Sequence, residues 1–281
     1  MSNVQAPDVL REWRESAAYW RDHSATIRSM FAPVTRALIE EAHIVEGDSV
    51  LDVAAGPGEP SLTIAKIVTP TGSVTCTDAV AEMVAAAQSE ALKRSIKNIC
   101  FQQCVADALP FENCSFDAAV SRLGVMFFPD PVAGVREMLR VIKPESSVSF
   151  AVWRESRANP FAYTVTDVLA RYIKMPPADP EAPGAFRFAE HGKLARVLVE
   201  AGAVRVRERM LKFSIQAPIS REEFWEMRSV TSGTLREKLA AMSAEQRLRF
   251  ASEVREALAE FFPNERMRFP AQMLIVAGDK P

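Results

Sequence analysis

The sequence lacks a long apolar run and an excess of charge, and we expect no leader segment. No apolar stretch reaches the roughly 18 residues of a membrane-spanning helix. The chain opens with polar residues and Pro7, without a charged segment followed by an apolar one, so we expect neither a signal peptide nor a stable membrane anchor. The formal net charge is −2, which argues against a nucleic-acid partner.

Cysteine and histidine are also scarce. The chain has 4 Cys and 3 His, with no C-x-x-C pair and no His at ligand spacing. We therefore expect reduced thiols, no metal site and a cytoplasmic location. Hydrophobic residues make up 48% and charged residues 25% of the 281 residues, which is typical of a folded globular protein rather than a disordered one.

A glycine turn stands out in the first third of the chain. Residues 50–54 are apolar around a single acid, Asp52, and the sequence Ala-Gly-Pro-Gly follows at residues 55–58. This pattern predicts a buried strand that ends in a turn and leads into a helix. Gly lacks Cβ and tolerates positive φ, so a ligand can approach the backbone of such a turn. Asp78 follows at the end of the next predicted strand, where nucleotide-binding α/β folds place a ribose ligand.

Predicted strands and helices alternate through the rest of the core. Strands are predicted at 49–54, 73–77, 98–104, 115–121, 148–153, 204–215 and 270–277, with helices between them. This alternation predicts an α/β, doubly wound, mostly parallel seven-stranded sheet, a Rossmann-like fold. Residues 8–43 predict two or three helices that form an N-terminal cap, and Ser220 with Glu223 predicts a capping box.

We expect one domain over residues 1–281. It divides into the cap (1–46), a ligand-binding core (47–153), two substrate-side insertions (154–190 and 217–265) and the remaining core elements (191–216 and 266–281). The segment 175–184 is rich in proline and predicts irregular structure.

Several polar or glycine residues fall at the carboxyl ends of the predicted strands. In doubly wound sheets, ligands bind outside those ends, where the strand order reverses. The residues that converge there are Asp52, Gly56, Asp78, Asp107 and Ser121. This convergence predicts the ligand site.

The turn departs from a dinucleotide fingerprint. Ser61 stands where the third glycine of G-x-G-x-x-G belongs, and Glu59 at the helix start would repel a pyrophosphate. A nicotinamide-dependent oxidoreductase is therefore the less favoured alternative. The predicted site instead carries several acids, which suit a cationic nucleoside such as S-adenosylmethionine. These acids are Asp52, Glu59, Asp78 and Asp107.

With these residues the chain resembles the class I S-adenosylmethionine-dependent methyltransferases. Within them it is similar to the ubiquinone/menaquinone-biosynthesis C-methyltransferase type, the type 11 methyltransferase domain. The resemblance covers roughly residues 48–153. Its motifs are residues 50–58, Asp78, Ala108-Leu109-Pro110-Phe111, Ser115-Phe116-Asp117 and residues 139–144.

The resemblance implies roles for cofactor-binding residues. Asp52 would orient the first motif and the methionine ammonium, Asp78 would bind the ribose hydroxyls, and Ser121 would lie near the methionine moiety. The backbone approach would come from Ala54, Gly56, Pro57 and Gly58, and the adenine would be flanked by Ala79, Met83, Ala106 and Asp107. Met83 as a helix core residue and Ser121 as a strand-end hydrogen bonder remain the alternatives.

The chain departs from the family pattern at three places. Ala54 replaces the first glycine, which the turn tolerates if φ there is negative. Val105 replaces an adenine-binding acid, whose contact would pass to Asp107 or to the backbone near Ala106. Residues 145–147 replace a Gly-Gly turn before the fifth strand.

The resemblance implies direct, in-line methyl transfer to a small molecule. Trp20, Phe127 and Trp153 are candidate acceptor contacts and favour an apolar or aromatic acceptor, although each could be core. Weak candidates for a catalytic base or polar group are His23, Arg122, Tyr163 and His191. The alternative function is a cofactor-binding regulatory or non-catalytic protein. No feature of the sequence specifies an oligomeric state.

Overall fold

The structure is a computed structural model that describes residues 6–173 and 179–281. Seven strands form one sheet in the order β3-β2-β1-β4-β5-β7-β6. The strands are β1 (Ser49–Val53), β2 (Ser73–Asp78), β3 (Ile99–Gln103), β4 (Phe116–Arg122), β5 (Ile142–Trp153), β6 (Val204–Ala217) and β7 (Met267–Asp279).

Strands β1 to β5 pair in parallel, and β7 runs antiparallel between β5 and β6. Strand order reverses between β1 and β4, which lie side by side although two strands separate them along the chain. The predicted doubly wound, mostly parallel α/β sheet is confirmed.

Helices cover both faces of the sheet, as parallel crossovers require. The cap consists of α1 (Ala6–Asp22), α2 (Ser24–Met30) and α3 (Ala32–Glu41). The core helices are α4 (Ser61–Ile67), α5 (Ala81–Lys93), α6 (Pro131–Val141) and α8 (Lys193–Ala201), and the insertions hold α7 (Pro160–Leu169), α9 (Arg221–Thr231), α10 (Gly233–Ala241) and α11 (Ala244–Leu258). Among the described residues, no helix is both long and apolar enough to cross a membrane.

Buried apolar residues explain the central strands. Val50, Leu51 and Val53 of β1 are buried, and Asp52 between them is buried as well. A strand covered by helices on both faces reads as a continuous apolar run rather than an alternation. This is why the sequence pattern located β1 to within a residue.

Some boundaries differ from the predictions. β5 begins at Ile142 rather than Val148, because Ile142 pairs with Phe116 before the register shifts. Between this pair and the next, Ala118 with Ser147, β5 carries three more residues than β4. Glu145, at the predicted site of a Gly-Gly turn, adopts φ +62° within this bulge.

Other local predictions hold. The capping box joins Ser220 and Glu223 at the start of α9. Pro33 lies in the first turn of α3, where a missing backbone N–H costs nothing. Of the proline-rich stretch 175–184, residues 175–178 lie outside the described part of the chain, and residues 179–184 form turns and bends.

Candidate functional site

The turn after β1 is built from residues in the left-handed region. Ala54 has φ +58°, Gly56 +57° and Gly58 +105°. The condition under which alanine is tolerated here, a negative φ, is therefore not met. Its Cβ is held against the neighbouring carbonyl oxygen, which costs about 1–2 kcal/mol for an L-residue. The chain retains the glycine conformation of the first motif without the glycine.

The two glycines of the turn have different surroundings. A Cβ added to Gly56 would meet nothing within 4 Å, so open space lies above this backbone. A Cβ on Gly58 would lie 2.9 Å from Leu62 Cδ1 and 3.1 Å from Ala87 Cβ. Gly56 therefore exposes backbone to a ligand, whereas Gly58 lets α4 and α5 pack closely.

Asp78 ties the end of β2 to the turn. Its Oδ2 accepts a hydrogen bond from the Gly56 N–H at 2.9 Å, and its Oδ1 accepts one from the Val80 N–H at 2.9 Å. Burial raises the pKa of this carboxyl, and the backbone donors oppose that rise. Each oxygen keeps a further lone pair, so the carboxylate can still accept from two hydroxyl groups.

Asp52 lies underneath the turn, fully buried. Its Oδ2 accepts from the Ser61 N–H at 2.8 Å and from the Ser61 hydroxyl at 2.6 Å. Its Oδ1 is buried without a hydrogen-bond partner among the described residues. Burial raises the pKa of Asp52 to about 7, although the Ser61 hydrogen bonds and the charge of Arg122 oppose the rise.

Glu59 does not belong to an acidic field that faces the ligand. Its carboxylate is buried, pairs with Arg94 at 2.7 Å and accepts a hydrogen bond from the Thr63 hydroxyl at 2.6 Å. The interpretation of Glu59 as a charge that repels a pyrophosphate is therefore wrong, because Arg94 balances it. Asp107 and Val105 lie exposed on the loop after β3, and Ala106 is half-buried.

The carboxyl end of β4 closes against the turn of β1. Ser121 is buried, and its hydroxyl has no hydrogen-bond partner among the described residues. A Cβ on Gly124 would lie 2.7 Å from the Ser121 Oγ and 2.6 Å from the Ala54 Cβ. The predicted residues of β1 and β4 thus meet at the point where strand order reverses.

Aromatic side chains of the cap reach this edge. The Trp13 ring lies 5.8 Å from that of Trp20 and 5.2 Å from that of Phe127. Met83 packs in the same cluster, against Ala17 of α1. The Trp20 Nε1 is buried without a partner in the described structure. Two of the predicted acceptor contacts are thus brought together, and Trp13 joins them.

Trp153 lies elsewhere. It is 7% exposed and packs against Phe31 and Phe161, with ring centroids 5.9 Å and 6.3 Å away. This second aromatic cluster covers the carboxyl end of β5, on the far side of β4 from the glycine turn.

The four candidates for a catalytic group are dispersed. Tyr163 is half-buried on α7, His23 is half-buried between α1 and α2, and Arg122 donates to the Thr35 hydroxyl at 2.9 Å. His191 is exposed, with Nδ1 3.2 Å from Glu208 Oε1 on β6. Strand β6 is four strand spacings from β1, about 19 Å. The structure therefore does not bring His191 to the turn.

Arg228 of α9 is a residue that sequence reasoning missed. Its guanidinium carbon lies 5.4 Å from the centroid of the Phe161 ring, and its Nε is buried without a partner. The available signal was its spacing, because it follows the buried Phe224 by four residues on an apolar helix face.

Comparison with known proteins agrees with this geometry. Residues 50–145 match the model of a family described as a methyltransferase domain. An uncharacterized protein of Mycobacterium tuberculosis is 36% identical over 133 residues, 47% of each chain. The ubiquinone/menaquinone biosynthesis C-methyltransferase of Bdellovibrio bacteriovorus is 32% identical over 144 residues, 50% of this chain and 60% of that one. The chain thus spans about half the length of these curated relatives.

A solved structure extends the likeness in fold. The YcgJ protein of Bacillus subtilis superposes with a TM-score of 0.53 at 20% identity, over 88% of this chain and 97% of that one. At this identity the likeness concerns the fold alone. Residues 50–145 thus match a methyltransferase domain, and the sequence matches together with the turn geometry support a class I S-adenosylmethionine-dependent methyltransferase.

Proposed function

We propose that the whole protein transfers a methyl group from S-adenosylmethionine to a small apolar or aromatic molecule. One observation carries the proposal: the open backbone of Gly56, the Asp78 carboxylate and the Ser121 hydroxyl meet at the switch point of the sheet. An open strand end with convergent polar groups is where doubly wound sheets bind nucleosides.

The residues present suit this cofactor. Asp78 would accept from the ribose hydroxyls, since its backbone donors leave lone pairs free. Two buried polar atoms without partners, the Asp52 Oδ1 and the Ser121 Oγ, lie near the predicted methionine end. Buried polar groups are normally hydrogen-bonded, so these atoms support a polar ligand there.

The remaining cofactor contacts follow the resemblance. Backbone contacts are assigned to Ala54, Gly56, Pro57 and Gly58, of which Gly56 has the open space. The adenine would lie among Ala79, Met83, Ala106 and Asp107. The packing of Met83 against the aromatic cap supports a place at the edge of an apolar pocket rather than at its centre.

When bound, the cofactor supplies an activated methyl group, because its positively charged sulfur is already a good leaving group. In such a transfer a lone pair of the acceptor would form the bond to the methyl carbon, and the electrons of the broken carbon–sulfur bond would return to sulfur. The protein's task is then to align acceptor and methyl in line, which is catalysis by proximity and orientation. No nucleophile–base pair is assigned to the chain.

The acceptor class is inferred from the aromatic walls. Trp13, Trp20 and Phe127 line the cap side, and their rings favour a planar or apolar molecule. The name of the Bdellovibrio bacteriovorus relative, a C-methyltransferase of ubiquinone and menaquinone biosynthesis, supports the same class.

Calorimetric titration with S-adenosylhomocysteine tests the cofactor site. We expect saturable binding by the parent, and binding at least about tenfold weaker for Asp78→Ala, which loses two charge-assisted hydrogen bonds. Asp167→Ala, an exposed position on α7, is the matched control. Equal affinity of Asp78→Ala and the parent would contradict the ribose assignment.

A screen of aromatic acceptors with S-adenosylmethionine, read out as formation of S-adenosylhomocysteine, tests turnover. Cofactor binding without turnover on any acceptor would support the non-catalytic alternative. Binding of NADPH in place of the methyl donor would support the oxidoreductase.

A further inference from the structure

Arg228 is a half-buried cation that no acid of the described chain neutralises. Its Nε is buried without a hydrogen-bond partner, and its guanidinium lies over the Phe161 ring. Burial lowers its pKa to about 10, and among residues 6–173 and 179–281 no carboxylate offsets that effect. A cation that is partly removed from water and has no partner in the described chain is stabilised by an anion that comes from outside.

Three other half-buried arginines of the described chain have partners. Arg94 pairs with the Glu59 carboxylate at 2.7 Å. Arg122 donates to the Thr35 hydroxyl and lies in the field of Asp52 and Glu59. Arg187 donates to the Phe128 carbonyl at 2.7 Å. Arg228 differs from them because its guanidinium lies over the Phe161 ring and its Nε has no hydrogen-bond partner among the described residues.

The location of Arg228 matches the acceptor side of the sheet. Phe161 stands at the start of α7, just after β5, and packs against Trp153, the last residue of that strand. Phe31 contacts both Phe161 and the guanidinium of Arg122, which directly follows Ser121. The predicted cofactor residues lie instead on β1 and β2. A methyl acceptor must lie beyond the methyl group, and hence over β4 and β5.

The position of Arg228 over the Phe161 ring leaves its guanidinium available to an oxyanion. A guanidinium that lies over an aromatic ring keeps its N–H edge in plane, where a carboxylate can accept two parallel hydrogen bonds. The rings of Phe31, Trp153 and Phe161 are buried and pack against one another, so this side of the guanidinium is apolar.

We propose that Arg228 binds a carboxylate of the methyl acceptor and thereby selects acceptors that carry a negative group. The identification of the bound carboxylate as part of a methyl acceptor rests on the proposed methyl transfer, whereas the carboxylate site itself does not. Arg228 is a specificity-determining residue in this scheme and takes no part in the reacting bonds.

The test is calorimetric titration of the full chain, with and without saturating S-adenosylhomocysteine. The probes are benzoate, 1-naphthoate and indole-3-acetate, each with its neutral amide. We expect the parent to bind at least one carboxylate more tightly than its amide. Arg228→Met should weaken binding of that carboxylate about 10- to 100-fold and leave binding of the amide unchanged, since hydrogen bonds to charged groups contribute about that much to affinity.

Three comparisons make the result decisive. Arg249→Met removes an exposed arginine that pairs with Glu253 and should change nothing. Arg228→Lys keeps the charge without the planar fork and should bind between the parent and Arg228→Met. Arg228→Met should unfold at a urea concentration no lower than the parent, because it removes an unpaired charge.

Two outcomes would overturn the inference. One is a parent that binds no probe carboxylate better than its amide. The other is an Arg228→Met variant that is less stable than the parent yet keeps the preference for carboxylates. Failure of the parent to bind S-adenosylhomocysteine would count against the proposed methyl transfer, while a carboxylate preference measured without that compound would still support the Arg228 site.

Discussion

The Cβ atom of Ala54 lies 2.6 Å from the position that a Cβ on Gly124 would occupy. The turn after β1 and the segment after β4 therefore touch with no room for a second methyl group. This contact holds the glycine turn close to Ser121, at the predicted methionine side of the site.

Gly124→Ala should disturb that contact. The added methyl would overlap both the Ala54 Cβ and the Ser121 Oγ, so we expect a loss of about 1–3 kcal/mol in the free energy of unfolding. Affinity for S-adenosylhomocysteine should fall as well, because the two strand ends move apart. Urea unfolding and calorimetry measure the two effects. Gly184→Ala, whose added Cβ would have its nearest neighbour at 3.8 Å, should be neutral.

Ala54→Gly should stabilise the protein. Removal of the Cβ relieves the strain of φ +58°, which outweighs the extra entropy of glycine in the unfolded chain, for a net gain of about 0.5–1 kcal/mol. Ala55→Gly next to it should do the opposite, since Ala55 is buried and its φ is not positive. A stabilised Ala55→Gly variant would show that strain at residue 54 is not the cause.

The Glu59–Arg94 pair gives a prediction about buried charge. Arg94→Met leaves the buried Glu59 carboxylate without its cation, and we expect a loss of about 3–5 kcal/mol in the free energy of unfolding. The double variant Glu59→Gln with Arg94→Met should recover most of it. If the losses of the two single variants simply add in the double variant, the pair is not coupled.

Asp52 should make stability depend on pH. Its pKa is about 7 in the folded protein against 3.8 as a free group, so the folded state binds the proton more tightly. The resulting stabilisation is present at low pH and is lost as pH rises through about 4 to 7. Asp52→Asn has no such loss, so its stability relative to the parent should increase by about 2–3 kcal/mol from pH ~5 to pH ~8. Urea titrations of both proteins at the two pH values measure this difference, and an unchanged difference would contradict the raised pKa.

The fold was predictable because its signals are local. Apolar strands, the glycine turn and the alternation with helices located β1 to β4 within a residue or two, and Asp78 and Ser121 fall at strand ends as expected. The start of β5 was not predictable, because the register shift near Glu145 depends on its pairing with β4.

The electrostatics of the site were harder to predict. The sequence pattern predicts that Glu59 repels a pyrophosphate, but Arg94, 35 residues further along the chain, neutralises its charge. Ala54 adopts a positive φ although the local propensity of alanine argues against the left-handed region, because tertiary packing overrides that propensity. The role of Arg228 was not predictable for a related reason. A single charged residue in a helix is normally expected to be exposed, and its packing over Phe161 depends on the tertiary structure.

The pairing of β7 also bears on the order in which the sheet can form. Strand β6 precedes β7 in the chain, but it lies at the edge of the sheet and pairs with β7. One edge of β5 therefore has no paired strand until β7 has been synthesised and added to the sheet. During synthesis, β1 to β5 can assemble before β7 is available to pair with β6. The half of the molecule that carries the Arg228 site would then be the last to fold, and its exposed strand edges make the period before β7 emerges the one most open to misassociation.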